Sequence, residues 1–349
     1  MSKSRKPYNR GVVYPRIMTI VLYGEARKPD IYYRCGWASD AKVFYVEQDN
    51  KRFLYVPGFE YAQAKQEVSK EIIVKKATGY KDLLSSIKGS VTVDFSFPHA
   101  FVKYFSGEVD VSQEVFAARK SKSSQEISLI ADAQALAKQA CKLIEKQLRQ
   151  ASIVNGVAVV DEEVLTSEHL KFLARSFLIK QGADCPELIV SSGSQTALPH
   201  HRGSGPVQEG PVIIDIFPQA SNQYHGDLTR TIIVGECSRA EQMLGAVVEV
   251  HALCVEKCVP GQSIQELHLF AEEELAKRGF LTDEELTEGL IHGLGHGVGL
   301  AVHEAPGIGP RTEGVLKEGM VVTIEPGLYY DVGVRYEDIV VVGSQPRIL

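Results

Sequence analysis

The sequence predicts a two-domain α/β protein, with a mixed α/β unit over residues 1–118 and a larger domain over 119–349. Three observations carry that expectation. At 349 residues the chain exceeds what one ordinary hydrophobic core organises. The stretch Ala117-Ala118-Arg119-Lys120-Ser121-Lys122-Ser123-Ser124 is small, polar and basic, which suits a linker. Beyond it, long helical patterns alternate with paired strand-length apolar runs, in two halves of similar content.

In the first unit, 42–46 and 52–56 are β-rich runs, and Gln48-Asp49-Asn50 between them supplies hairpin-turn residues. A helical stretch near 61–70 follows, then strands at 72–74 and 91–95 and a break at Pro98. In the second unit, Ser123 with Glu126 has the pattern of a capping box. It opens a helix with apolar positions at 127, 130, 137, 141, 144 and 148. The same signature returns at Ser238 with Glu241 and at Ser263 with Glu266, the latter helix ending at Gly279. Another helix spans roughly 162–180, stopped by Gly182. Strands are expected at 212–217, 228–234, 320–324 and 339–342.

Composition excludes several classes of function. Hydrophobic content of 44% and charged content of 23% are ordinary for a globular chain. A net charge of -6 offers no general attraction to nucleic acid or an anionic membrane surface. The apolar run at 17–22 is strand-length, far short of the roughly 20 residues of a membrane span. The basic start, with Lys3, Arg5, Lys6 and Arg10, is followed by no apolar signal region, so a cytoplasmic location is expected. Six cysteines are too sparse and irregular for a disulfide framework, and Cys254 and Cys258, on one predicted helix face, read as core.

The chemistry concentrates in the second domain. Residues 291–304 place His292, His296 and His303 among four glycines, a density that implies steric need, since glycine lets backbone approach an ion closely. Asp215 ends one apolar strand, and Asp227 opens the next after a short polar turn. Glu325 closes a third strand, where Pro326 biases it to extended geometry, and Glu337 starts a fourth. Any one could be a surface acid; four carboxylates and an imidazole at strand ends in one domain form a metal-site inventory, oxygen-rich with one nitrogen. No nucleophile elbow, phosphate loop, His-Glu-x-x-His helix or Cys-x-x-Cys pair competes with that reading.

The order Asp215, Asp227, His296, Glu325, Glu337, in the contexts D-L-T-R-T, H-G-x-G-H-G-x-G, T-I-E-P-G-L-Y and V-R-x-E-D, resembles the pita-bread metallopeptidase family. That family includes Xaa-Pro dipeptidases, aminopeptidase P, methionine aminopeptidase and creatinase. The motifs span about residues 190–340, and a weaker likeness to the creatinase-type N-terminal domain covers 30–64. The resemblance implies a pseudo-twofold α+β catalytic domain and two divalent ions, drawn from manganese, cobalt, zinc or iron with manganese favoured. Asp215 would hold one ion, His296 and Glu325 the other, with Asp227 and Glu337 bridging. It implies hydrolysis of the bond before proline in short peptides, with Glu325 moving the proton. His303 would meet the substrate carbonyl, His200 would lie near the leaving group, Arg335 near the substrate carboxylate, and Thr229 behind Asp227. His201, His225 and His292 read as scaffold or rim. A homodimer is also implied.

Two departures stand out. Asp227 lies twelve positions after Asp215 where the family it resembles usually has eleven, so the turn must bulge. Gly307 stands where several prolidases carry arginine, with Arg311 a candidate substitute. Dipeptidase and aminopeptidase P activities therefore both stay open, with a non-catalytic binding protein or creatinase-like C–N hydrolysis as remoter alternatives.

Overall fold

The computed structural model describes residues 19–349, so the basic start of the chain, Lys3 to Arg10, lies outside the described residues. The chain divides into two compact units between Ala117 and Ala118.

The first unit is a mixed six-stranded sheet built from β1 (Thr19–Glu25), β2 (Lys42–Gln48), β3 (Lys51–Val56), β4 (Ile72–Lys76), β5 (Val91–Asp94) and β6 (Val109–Ser112), in the order β4-β3-β2-β1-β5-β6. The turn between β2 and β3 is Asp49-Asn50, both at positive φ (52° and 58°), which matches the twist of the hairpin they close. Residues of β1 alternate between faces: Ile20 and Leu22 pack with α1 (Pro29–Cys35) and α2 (Tyr61–Glu67), while Val21 packs with α3 (Tyr80–Ser86) and α4 (His99–Val102).

The second unit holds two halves with separate apolar cores. In the first half, α5 (Ser124–Gln150) and α6 (Ser167–Lys180) cover an antiparallel sheet of β11 (Ile189–Ser192), β12 (Gly210–Ile216) and β14 (Leu228–Val234). A small meander of β7 (Ser152–Val154), β8 (Val157–Val160) and β9 (Glu163–Val164) joins the helices, and β10 (Ala183–Asp184) pairs with β13 (Gln219–Ala220). In the second half, α7 (Ser238–Glu256) and α8 (Ile264–Lys277) cover β15 (Gly295–Gly297), β16 (Glu304–Ile308), β17 (Val321–Ile324), β20 (Asp338–Val341) and β21 (Arg347–Ile348), with the hairpin β18 (Gly327–Tyr329) and β19 (Gly333–Arg335) beside them. Each half thus repeats a helix pair over antiparallel strands, the pseudo-twofold α+β arrangement expected from the motifs.

The capping expectations divide. Both halves of the Ser123/Glu126 box form, and Ser263 accepts from the Glu266 N–H. Ser238 instead is the first helical residue of α7, behind Cys237, and makes no capping bond. The helix expected from 162 starts at Ser167, because Glu163 and Val164 are drawn into β9 and Thr166 supplies the cap. The supposed linker is not a solvated tether: Lys122 is buried with its ammonium 2.7 Å from Glu304, which Arg119 also meets.

The two halves are stitched along one seam. Arg335 N–H donates to Thr231 Oγ1 at 3.0 Å, Thr231 Oγ1 donates back to the Arg335 carbonyl at 2.9 Å, and Glu337 N–H donates to the Thr229 carbonyl at 3.1 Å. Gly333 lies so close to the loop after β11 that a Cβ there would fall 2.1 Å from the Thr196 carbonyl oxygen. At one end of the seam, Gln134 on the buried face of α5 clamps the backbone of Asp227. Its Nε2 donates to the Asp227 carbonyl and its Oε1 accepts the Asp227 N–H, both at 2.8 Å. Replacing Gln134 by Leu leaves both groups buried and unpaired, so the variant should lose about 1–3 kcal/mol of stability in urea unfolding. An unchanged midpoint would show that the clamp carries no weight.

Candidate metal centre

Asp215 sits near the end of β12 and pairs in register with Thr229 on β14 and Ile189 on β11. The twelve-residue spacing to Asp227 is absorbed by a protruding hairpin. Ala220 N–H donates to the Tyr224 carbonyl, Gln223 turns at φ 69°, and Gly226 N–H returns to the Pro218 carbonyl. Gly226 passes α5 so closely that a Cβ would lie 2.7 Å from Ala133 backbone, which allows the Gln134 clamp to reach its neighbour.

The glycines around His296 have a different role from the one expected. A Cβ at Gly295 would fall 2.0 Å from the Thr323 carbonyl oxygen of β17, and one at Gly297 would fall 2.6 Å from the Ala305 carbonyl oxygen of β16. They let β15 fit between two strands, and no ion is needed to explain them. Squeezed there, His296 has its backbone N–H on Thr323 Oγ1 at 3.0 Å and its ring Nδ1 3.1 Å from the Gly297 carbonyl. A carbonyl only accepts, so Nδ1 carries the proton and Nε2 presents its lone pair inward. Burial holds the imidazole below its ordinary pKa and therefore neutral.

That lone pair faces Glu325 Oε1 at 3.3 Å and Asp227 Oδ2 at 3.6 Å. A neutral acceptor aimed at two carboxylates is repulsive unless a cation lies among them. Asp227, His296 and Glu337 each bring a ligand atom within 4.8 Å of the others. Asp215 joins through Arg335, whose Nη2 is 2.7 Å from Asp215 Oδ2, while Asp215 Oδ1 is buried with no partner. Burial first, and then the neighbouring carboxylates, push Asp227 and Glu337 well above the usual carboxylate range. An orphaned carboxylate oxygen, an inward lone pair and two unwilling acids are what a pair of divalent cations would satisfy, so the donor set fits.

The supporting contacts come from both halves. Thr229 Oγ1 donates to Glu337 Oε2 at 2.7 Å, and Thr323 Oγ1 to Glu325 Oε1 at 3.2 Å. Arg335 commits four of its five N–H groups: besides Asp215, it donates to Thr229 Oγ1, to the Tyr329 hydroxyl and to the Pro199 carbonyl. Tyr329 also lies 3.2 Å from His292 Nε2, and His292 Nδ1 contacts the Gly293 carbonyl, so the Tyr329 hydroxyl donates to His292.

A cavity of about 500 Å³ opens over the cluster. All five expected ligands line it, as do His200, His292, His303 and Arg335. His303 stacks edgewise on His296 with ring centroids 4.1 Å apart, and burial with the His296 ring lowers its pKa. His225 lies off the cavity, its N–H on the Gly299 carbonyl and its ring pushed down to about 4 by burial. His201 accepts the Gly203 N–H, and Arg311 is exposed and off the cavity wall. Sequence reading missed Gln134, Thr323, Tyr329 and the rim residues Glu187 and Arg202. Thr323 and Tyr329 stand inside the quoted T-I-E-P-G-L-Y motif, whereas nothing local marks Gln134.

The chain matches the family model described as metallopeptidase family M24 over residues 128–344 and that of the creatinase/prolidase N-terminal domain over 25–163. It is 30% identical to the Xaa-Pro dipeptidase of Pyrococcus horikoshii over 333 residues, covering 91% of this chain and 88% of that protein. Among solved structures it is similar to the prolidase from Pyrococcus furiosus, with a TM-score of 0.82 and 29% identity over 95% of this chain and 96% of the other. An X-Pro aminopeptidase from Thermotoga maritima gives a TM-score of 0.78 at 25% identity, covering 95% of this chain and 93% of that one. With the family model spanning most of the chain and the acid-imidazole cluster inside the matched region, the protein belongs to metallopeptidase family M24.

Proposed function

We propose that this protein is a dinuclear-metal peptidase that hydrolyses the bond preceding proline in Xaa-Pro dipeptides and short peptides, with its catalytic domain over 119–349. The observation that carries the proposal is the convergence of four carboxylates and one inward-facing neutral imidazole on a single cavity. The likeness to an Xaa-Pro dipeptidase and a prolidase supports the choice of substrate. Asp215, Asp227, His296, Glu325 and Glu337 would hold two divalent ions. A donor set of carboxylates with one imidazole suits manganese, cobalt, iron or zinc, and manganese is the first to test. When bound, the ions supply Lewis acidity and lower the pKa of a water held in the site.

The remaining steps belong to side chains. Glu325 is fixed by its N–H on the Leu294 carbonyl and by Thr323, and is assigned to take a proton from the attacking water. As the water oxygen bonds the scissile carbon and the C–N bond breaks, Glu325 returns that proton to the departing proline nitrogen. His303, neutral and on the cavity wall, would donate to the carbonyl oxygen as negative charge develops there. His200, exposed beside Pro199, would lie along the leaving residue. Arg335 would act here through Asp215, since four of its five N–H groups are already taken.

An aminopeptidase P-like preference for longer peptides is the second reading, and one observation favours it. Gly307 pairs with His296 across β15 and β16, and a Cβ built there meets nothing within 4 Å. We further propose a cytoplasmic homodimer. Six free cysteines suit a reducing compartment, and exposed Phe172 and Ile179, seven residues apart on α6, offer an apolar face to a second copy.

Purified protein supplied with manganese or cobalt should release proline from Ala-Pro, lose that activity on chelation and regain it on metal return. Inactivity toward both Ala-Pro and Ala-Pro-Ala under every metal would sink the proposal. His296→Ala should bind less metal by elemental analysis and lose kcat/KM by about 100-fold or more. A non-catalytic binding protein would keep its role without metal.

The buried acids predict a pH signature. Their pKa values in the folded state lie above the unfolded values near 3.8 and 4.5. In metal-free protein, the stability gained from their protonation is therefore complete below those values and lost as pH rises through the raised ones. Added manganese relieves that loss, so the metal-induced rise in Tm should grow between about pH 5 and pH 8. A rise that shrinks over this range would contradict the placement of the ions.

A further inference from the structure

Resting on the proposed peptidase reading, the question left is what receives the far end of the substrate. The cavity wall carries two guanidinium groups, on Arg335 and Arg202. Arg335 is only 3% exposed and spends its donors on Asp215, Thr229, Tyr329 and Pro199. Of its five N–H groups only one, on Nη2, is uncommitted, too few for a two-pronged grip on a carboxylate. Arg202 differs in each respect. Its side chain is 59% exposed, and among the described residues its guanidinium meets Glu187, Nη2 to Oε1 at 2.6 Å. The rest of its fork of N–H donors is open to a second carboxylate.

The backbone beneath this side chain is held firmly. The Arg202 carbonyl accepts from Val190 N–H at 3.2 Å and from Lys171 Nζ at 3.2 Å. Lys171 also bonds the Gly203 carbonyl at 2.7 Å, and Gly203 passes β11 so closely that a Cβ would overlap the Val190 carbonyl oxygen at 1.6 Å. A clamped backbone with a solvated side chain gives a cation of fixed origin and free reach. Its partner Glu187 lies two residues before Ile189, which stands opposite Asp215 in the sheet, and Phe217 lies two residues beyond Asp215. An apolar stretch of wall thus separates the acid cluster from the rim pair. The four carboxylates of the centre would be matched by the two ions they hold, so a peptide carboxylate is best placed at the rim, where a further cation waits and water still reaches.

We propose that Arg202 is the specificity residue that binds the free C-terminal carboxylate of the substrate, exchanging Glu187 for the ligand, and that the site therefore selects dipeptides. Glu187 then acts as a placeholder that keeps the guanidinium oriented and competes with the substrate. The exchange swaps one exposed ion pair for another and needs no backbone movement.

The test uses manganese-supplied full-length protein and a non-cleavable Ala-Pro analogue with a methylene in place of the scissile carbonyl, as the acid and as the C-terminal amide. By calorimetry the parent protein should bind the acid about tenfold or more tightly than the amide. Arg202→Met should bind the two alike, with amide affinity unchanged. Glu187→Gln should tighten binding of the acid, whereas a merely structural ion pair would make it weaken both ligands. With Ala-Pro as substrate, the Arg202→Met change should fall on KM and leave kcat near its original value. A parent protein without preference for the acid, or an Arg202→Met variant that keeps the preference, overturns the inference. Either result leaves the peptidase reading intact if Ala-Pro is cleaved. An Arg202-dependent preference in a protein that cleaves no Xaa-Pro peptide overturns the peptidase reading and keeps the carboxylate site.

Discussion

Two buried acids, Asp227 and Glu337, set the terms for the rest of the second unit. Both are almost inaccessible, both sit beside Asp215 and Glu325, and burial together with that company makes their charged forms unfavourable. A cluster of this kind opposes folding unless each oxygen has a donor or a cation. The surrounding contacts read as a response to that constraint. Thr229 covers one Glu337 oxygen, Arg335 covers one Asp215 oxygen, and the backbone of Asp227 is tied on both sides by Gln134. What these donors leave uncovered, including Asp215 Oδ1 and the His296 lone pair, points at one small volume.

The pseudo-twofold architecture supplies the rigidity such a cluster demands. Asp215 lies on β12 and Asp227 directly before β14 in one half, and His296 lies on β15 and Glu325 directly after β17 in the other. Glu337 is held in place by the seam between them, through its N–H on the Thr229 carbonyl. Side chains on strands of two packed sheets are held more tightly than loop residues, and any slip of one half against the other would break the Thr231–Arg335 pair of bonds. Arg335 spans this seam as well: its backbone bonds β14 while its guanidinium holds Asp215. The residue that joins the halves therefore also sets the charge balance at their junction.

Much of this was legible locally. The strands bearing the carboxylates were readable because apolar runs closed by an acid are short-range patterns, and β12, β14, β17 and β20 fall within two residues of the expected bounds. The bulge between Asp215 and Asp227 was readable only by setting its spacing against that of the resembled family. Gln134 was not, because a glutamine on a helix face signals nothing until Asp227, 93 residues away, is laid against it. The stretch 117–124 does hold the division between the two units, but its basic, small residues look solvated, and Lys122 is buried against Glu304, far along the chain. The His296 glycines were noticed for their density, but their cause, contact with the carbonyls of Thr323 and Ala305, is a property of the assembled sheet.

The division between buried centre and exposed rim follows from what each must do. Carboxylates that hold ions gain from being dry, fixed and crowded, since every lost water strengthens their hold. A group that admits and releases a charged product gains from the opposite. Arg335, buried beside Asp215, could grip a substrate carboxylate with two N–H groups only by surrendering one of its present bonds. Arg202 can do so by trading one exposed carboxylate for another, at little net cost in solvation. A chain with Gly307 opposite His296 has no side chain at that position to perform this task near the centre. Recognition of the substrate's end then falls to the loop between β11 and β12, where the Lys171 and Val190 bonds hold the backbone and leave the guanidinium free to move.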